Sequence, residues 1–274
     1  MNWKTGLSIS FLLLGVLYWN NLISTSYTTS TDDFSIYTIK TSVSNVHLVQ
    51  VSGKKILIDV GDKSKRKSIE KELAKIGYSI SDIDFAVATH GHGDHVSNGK
   101  YFQENYNLEI WGGAGDEALF TNGRRDDLCP TGFLARIFKW VSSGKYQGFT
   151  PNKLVNEPID LQPLGINGMV MPLPGHTEGS LIIQIENKLF VGDLIRGGFF
   201  KNSKPTLHYF ICDIEQNNEH IEMLLKKFDQ CDEWFLGHYG SLKRADLEKY
   251  VAKKAKNKTA FVDNYKYNFA TFLP

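Results

Sequence analysis

Apolar positions recur along the chain with two different periods, and the change from one to the other marks out its elements. Residues 34–40, 46–51 and 55–59 alternate or run apolar, which predicts strands, the last two joined as a hairpin across Ser52-Gly53. Residues 64–76 carry Ile69, Leu73 and Ile76 at helical spacing and stop at Gly77, a residue able to take the left-handed C-cap. Short strands are expected at 84–89 and 108–111, with a helix over 96–104 between them. A second block follows: strands at 169–173, 181–185 and 188–191, the latter two a hairpin across Glu186-Asn187. A helix is predicted over 214–228 with Asp213 capping its first turn, then a strand at 233–236 and a helix over 241–256. Two strand blocks, each followed by helices, predict an α+β fold of two mixed, largely antiparallel sheets with helices outside them.

Two stretches depart from this pattern. Residues 114–158 hold Arg124, Arg125, Asp126 and Asp127, three prolines and the aromatics Phe120, Phe133, Phe138, Trp140, Tyr146 and Phe149, and read as an insertion that is helical around 133–141. At the other extreme, no charge appears between Lys4 and Asp32, and residues 7–19 are almost wholly apolar. That is the length of a signal-peptide core and short of the roughly 20 residues that span a bilayer. Residues 1–26 are therefore expected to be a signal peptide or membrane anchor, 27–32 a Ser/Thr-rich linker, and 33–274 the folded domain. Export to the periplasm, secretion, or anchoring outside the cytoplasm follows as an expectation.

At 274 residues with 42% hydrophobic and 22% charged positions, the chain can close a large core, which excludes a disordered protein. A net charge of +1 supplies no general attraction for nucleic acid. Cys129, Cys212 and Cys231 are too few and too scattered for a disulfide scaffold or a Cys-rich zinc site. His47 and His220 read as structural, Lys201 and Lys204 as solvated charge, and the basic run 252–258 as a soluble helix end.

Chemistry concentrates in Thr89-His90-Gly91-His92-Gly93-Asp94-His95, at the end of a predicted strand. Imidazole and carboxylate are ligands suited to zinc and similar divalent ions. The two glycines let the backbone turn tightly, so alternate side chains can converge on one ion while Asp94 and His95 face another. Without a cation, so many polar groups in one loop would be left unsatisfied.

His90, His92, Asp94 and His95 resemble the H-x-H-x-D-H signature of the metallo-β-lactamase-fold superfamily. Pro174-Gly175-His176-Thr177, Val191-Gly192-Asp193 and Leu236-Gly237-His238 resemble its later motifs, in order and each at a predicted strand end. The resemblance spans about residues 33–256 and implies a four-layer αββα sandwich. It implies one ion held by His90, His92 and His176, a second held by Asp94, His95 and His238, and Asp193 bridging both. Two divalent ions, zinc in the leading case, would then generate a bridging hydroxide that cleaves a small ester, thioester, lactone or related substrate. Asp94 would also orient water or relay a proton. In the family, enzymes acting on β-lactams generally carry Cys or Ser where this chain has Asp193, whereas glyoxalase II-like thioesterases and lactonases keep Asp. The alternatives are a β-lactamase, a mononuclear iron (Fe2+) persulfide dioxygenase using His90, His176 and Asp193, and a binding protein without turnover.

Asp59 either supports the metal loop from behind or is a plain strand-end turn. His208 and Tyr209, after the bridging Asp, are candidates for substrate binding. The 114–158 insertion and residues 196–200 are expected to line the pocket, with Phe133, Phe138 and Trp140 either facing an amphiphilic substrate or forming the packed face of a lid helix. The partner is a small molecule, with membrane association only through the N-terminal segment.

Overall fold

The computed structural model describes residues 25–31, 33–41, 44–141 and 144–256. One sheet has seven strands in sequential order: β1 (Thr25–Thr31), β2 (Phe34–Thr41), β3 (Ser44–Val51), β4 (Lys54–Ile58), β5 (Phe85–Val87), β6 (Ile110–Gly113) and β7 (Lys153–Val155). Its first four strands pair antiparallel and its last four parallel. The second sheet runs from β8 (Ile159–Asp160) through β9 (Gly168–Pro172), β10 (Leu181–Ile185), β11 (Lys188–Phe190) and β12 (Glu233–Phe235) to β13 (Leu242–Lys243). All its pairs are antiparallel except β11 with β12.

Strand alternation sorts side chains between separate cores. Ile56, Ile58, Phe85 and Val87 meet Ile183, Ile185, Phe190 and Phe235 between the sheets. Their neighbours Leu57, Ala86 and Ala88 face outward, under helices α1 (Arg66–Lys75) and α3 (Gly99–Tyr106) through Ile69, Leu73 and Phe102. On the far side Ile182, Leu189, Trp234 and Leu236 pack on Ile221, Leu224 and Leu225 of a later helix (Ile214–Lys227) and on Leu247 of a helix over 244–256. Both faces of each sheet are covered, which is why the central strands are apolar on both sides. The result is the expected αββα order of layers.

Four strands were not anticipated. Residues 25–31, expected in part as linker, form β1 against β2, in keeping with the strand preference of threonine and tyrosine. Strands β7, β8 and β13 are two or three residues long, too short to show a period. The helix expected over 96–104 is split into a single turn, α2 (Gly93–Val96), and α3. The expected signal peptide or anchor over 1–26 falls almost entirely outside the described residues. Among those described, no helix is long and apolar enough to cross a membrane.

His47 on β3 ties the two sheets together, as a structural histidine should. Its Nε2–H donates to Leu236 O at 3.1 Å, Thr38 Oγ1 donates to its Nδ1 at 2.9 Å, and its ring lies 5.5 Å from those of Phe190 and Phe235. Burial lowers its pKa to about 4. The native state therefore stays neutral where the unfolded chain already binds a proton. This contribution to stability is complete above pH 6.5 and is lost as the pH falls toward 4, by about 3 kcal/mol. Urea unfolding of chelator-treated protein at pH 7 and pH 4 should show His47→Gln losing that much less than wild type; equal losses would refute it.

Candidate metal centre

The signature loop leaves β5 and turns into α2, whose first turn carries Asp94 and His95. Behind it stands Asp59, buried, at the end of β4 in a left-handed conformation (φ 61°). Its carboxylate accepts from Thr89 N (2.7 Å), Thr89 Oγ1 (3.0 Å) and His95 Nδ1 (2.8 Å). Asp59 is thus the support of the metal loop rather than only a turn.

The remaining stretches arrive from the second sheet. His176 follows β9, Asp193 follows β11, and His238 follows β12. The side chains of all seven predicted ligands come together. Ligand atoms of His90, His92 and His176 lie within 4.8 Å of one another, and so do those of Asp94, His95 and His238 and of His90, His95 and Asp193. Asp193 Oδ2 lies 3.6 Å from His90 Nε2, 3.4 Å from His176 Nε2 and 3.1 Å from His238 Nε2, while its Oδ1 is 3.6 Å from His95 Nε2. One carboxylate therefore touches both groups. Only a glycine can stand at 237, because a Cβ there would come within 2.1 Å of Asp193 Oδ1.

The direction of each imidazole decides what these groups can hold. His176 Nδ1–H donates to Phe210 O (2.8 Å), His92 Nε2–H to Asp126 Oδ1 (2.9 Å) and His95 Nδ1–H to Asp59. Thr89 Oγ1 spends its proton on Asp59, so at 3.1 Å it accepts from His90 Nδ1. All four rings consequently turn a lone pair inward when neutral. His92 Nδ1 faces His176 Nε2 at 3.0 Å, and His95 Nε2 faces His238 Nε2 at 3.3 Å. The opposed lone pairs of His92 and His176 at 3.0 Å repel unless a cation lies between them, while His238 Nε2 also lies 3.1 Å from Asp193 Oδ2. His90 Nε2 and Asp193 Oδ1 are buried without any hydrogen-bond partner among the described residues. These residues fit bound divalent ions in donor type and in orientation, and fixing the outward N–H of a ligating histidine is how proteins set its tautomer.

Charge balance among these side chains points the same way. Burial would lower the pKa of His95, but Asp193, Asp94 and Asp59 outweigh it and hold the ring well above its usual value. His238 is likewise raised, chiefly by Asp193 against burial. Burial lowers His90, and it lowers His176 to about 4. Asp94 and Asp193 would be raised by burial, yet the surrounding imidazoles keep both well below the carboxylate range. Buried imidazoles set this closely among buried carboxylates suit a bound cation.

Three supporting residues carried no sequence signal. Asp116 accepts from Gly91 N (2.7 Å), Gly179 N (2.8 Å) and Thr177 Oγ1 (2.7 Å), joining the loop of His90 and His92 to that of His176. Asp126, in the insertion, orients His92. Tyr146 donates to Gly91 O (2.9 Å). Gly113 and Gly179 pass so closely that a Cβ at 113 would stand 1.8 Å from Gly179 O.

His208 is buried at the centre, 3.1 Å from Asp193 Oδ2. Tyr209 faces the Arg196 guanidinium (3.9 Å), and Phe138 meets its ring edge-on at 5.1 Å. The insertion helix (Phe133–Val141) does not have the packed face that its spacing suggested: Phe133 is 76% and Trp140 87% exposed, and only Phe138 of that trio packs on Tyr209. A disulfide joins Cys129 to Cys212, a crosslink not expected from so few cysteines, and Cys231 is buried and free.

Comparison with known proteins agrees with this geometry. Residues 39–227 match the Metallo-beta-lactamase superfamily, and the chain belongs to it; it is a metallo-hydrolase of that superfamily, acting on small molecules, with His/Asp groups able to bind metal. It is 27% identical over 158 residues to the "Hydroxyacylglutathione hydrolase GloC" of Haemophilus influenzae, and 30% identical over 166 residues to the "Probable metallo-hydrolase MJ0888" of Methanocaldococcus jannaschii. Each alignment covers 56% of this chain and 67% of the relative. Among solved structures, BJP-1, a subclass B3 metallo-beta-lactamase of Bradyrhizobium japonicum, superposes with a TM-score of 0.59 at 14% identity, covering 88% of this chain and 95% of its own, and so shares the fold.

Proposed function

We propose that this chain is a dinuclear zinc hydrolase of a small ester, thioester or lactone, working outside the cytoplasm. The observation that carries the reading is the Asp193 carboxylate lying between two complete trios of ligand side chains. Two divalent ions bound there would supply an acidified water as nucleophile and polarise the oxygen of the bond under attack. A single-ion iron site would need only His90, His176 and Asp193, so the intact second trio supports two ions. Kinship to a relative named for hydroxyacylglutathione hydrolysis supports the thioester arm. The apolar residues 7–19 and the Cys129–Cys212 disulfide support an oxidising compartment.

The protein's own groups divide the remaining work. His90, His92, His176, His95 and His238 hold position, each fixed from behind where its outward nitrogen is bonded. Asp94 differs from Asp193 in being open, its side chain 33% exposed against 3%. One of its oxygens faces His95 and His238 at 3.4 and 3.5 Å, which leaves the other to orient water and pass a proton to the leaving group. Tyr209 and Tyr239, next in sequence to His208 and His238, bring their hydroxyls within 3.3 Å of each other, and Phe138 packs on Tyr209; this aromatic group would suit the apolar part of a substrate.

A screen of esters, thioesters, lactones and β-lactams, with and without a chelator, tests the class. On whichever substrate turns over, Asp94→Asn should lower kcat by about 10²-fold or more with metal content retained, the size of a general acid-base contribution. Unchanged turnover with unchanged metal would remove that role from Asp94.

A further inference from the structure

Thr206 to Cys212 form a strap that passes over the centre and is tied down along its length. Arg196 and Thr206 exchange backbone hydrogen bonds at its start (3.1 and 2.9 Å). Further along, Ile211 N donates to Cys129 O (3.0 Å), Thr131 N to Tyr209 O (2.9 Å) and Thr131 Oγ1 to His208 O (2.8 Å). The Cys129–Cys212 disulfide closes the far end. The insertion thereby holds the strap through residues 129–131.

What the strap presents inward is His208. Its ring lies edge-on to His176 at 4.7 Å and stacks on His238 at 5.2 Å. Its Nε2 is buried, 3.1 Å from Asp193 Oδ2, yet not aligned on that carboxylate and without a hydrogen-bond partner among the described residues. An N–H so near a buried carboxylate would be expected to turn onto it. A lone pair that looks past the carboxylate toward an ion has no such requirement. On its other side Nδ1 donates to Phe210 O at 3.5 Å in the tautomer that leaves the lone pair on Nε2, and accepts from Phe210 N–H at 3.3 Å in the other. Phe210 O is also the acceptor that orients His176, so one carbonyl lies behind two imidazoles that both bring Nε2 to Asp193 Oδ2. Ligand atoms of His176, Asp193 and His208 lie within 4.8 Å of one another.

We propose that His208 is an eighth metal-facing side chain of this centre, presented by a strap that the Cys129–Cys212 disulfide holds closed, so that reducing the disulfide loosens the bound ion. The inference rests on the metal-centre reading above but concerns retention of the ion rather than catalysis. Cys212 is exposed and Cys129 half-buried, so a reductant can reach the bond in the folded protein.

The test is metal release. Full-length protein loaded with Zn2+, or with Co2+ for its absorption spectrum, is challenged with a chelator, and metal per chain is followed over time. His208→Ala should release an ion about tenfold faster or more, the scale on which groups around a metal affect its affinity, and should change the cobalt spectrum. Treating wild type with a phosphine reductant should move release in the same direction, and Cys129→Ser/Cys212→Ser should reproduce this without reductant. The reductant arm does not depend on the double variant folding. An unchanged release rate and cobalt spectrum in His208→Ala would overturn the ligand assignment, and release indifferent to reduction would overturn the clamp. Wild type that takes up no metal would defeat the centre itself, an outcome distinguishable from either.

Discussion

Asp193→Ala is expected to leave the protein folded but unable to keep either ion, with kcat/KM lowered by at least about 10³-fold, roughly 4 kcal/mol of transition-state stabilisation. A single hydrogen-bond donor in an active site is worth 10² to 10³, and this carboxylate is more than one donor. Its Oδ2 reaches His90, His176 and His238 while Oδ1 reaches His95, so its removal takes a ligand from both trios at once. The imidazoles left behind would face one another without the negative charge that draws cations to them. Elemental analysis after gel filtration, alongside turnover and circular dichroism, reads the result. Retention of two ions by the variant would mean that Asp193 does not bridge them.

The second large effect concerns a residue that touches no proposed ion. Asp116→Ala strands Gly91 N–H and Gly179 N–H in a buried site and leaves the Thr177 hydroxyl only Ser180 Oγ as a partner. At roughly 1–3 kcal/mol for each unsatisfied group, the loss should be about 4 kcal/mol and lower Tm by about 10 °C. Metal binding should weaken with it, because Gly91 lies between His90 and His92, and Thr177 and Gly179 follow His176. Asp116 is where the two halves of one trio are fastened together. Thermal unfolding of the chelated protein separates the structural loss from the metal loss. A Tm within 2 °C of wild type, about 0.5 kcal/mol at this size, would contradict the assignment.

What the sequence made legible, and what it hid, follows from the range of each interaction. The ligand motifs were readable because each is compact and ends a strand; all seven side chains fall in overlapping groups whose ligand atoms lie within 4.8 Å of one another. The central strands were visible for a related reason. Leu57 between Ile56 and Ile58, or Leu189 beside Phe190, shows both faces buried. Asp116 was invisible because its partners lie 25, 61 and 63 residues away and it sits in a Gly-Asp turn that carries no period of its own. Asp126 stands in a run of charged residues with nothing local to set it apart, although His92 lies against it at 2.9 Å. The disulfide was missed because its cysteines are 83 residues apart and belong to an irregular insertion and a loop. Phe133 and Trp140 misled in the opposite direction, since helical spacing marks a shared face without saying that anything covers it.

The account depends on ions occupying the two trios joined by Asp193. Metal analysis of wild-type protein purified without added metal or chelator addresses this most directly, with Asp193→Ala measured beside it. Two zinc ions per wild-type chain and fewer than one in the variant is the predicted result. A wild-type chain with no bound metal that also takes none from excess Zn2+ would contradict it.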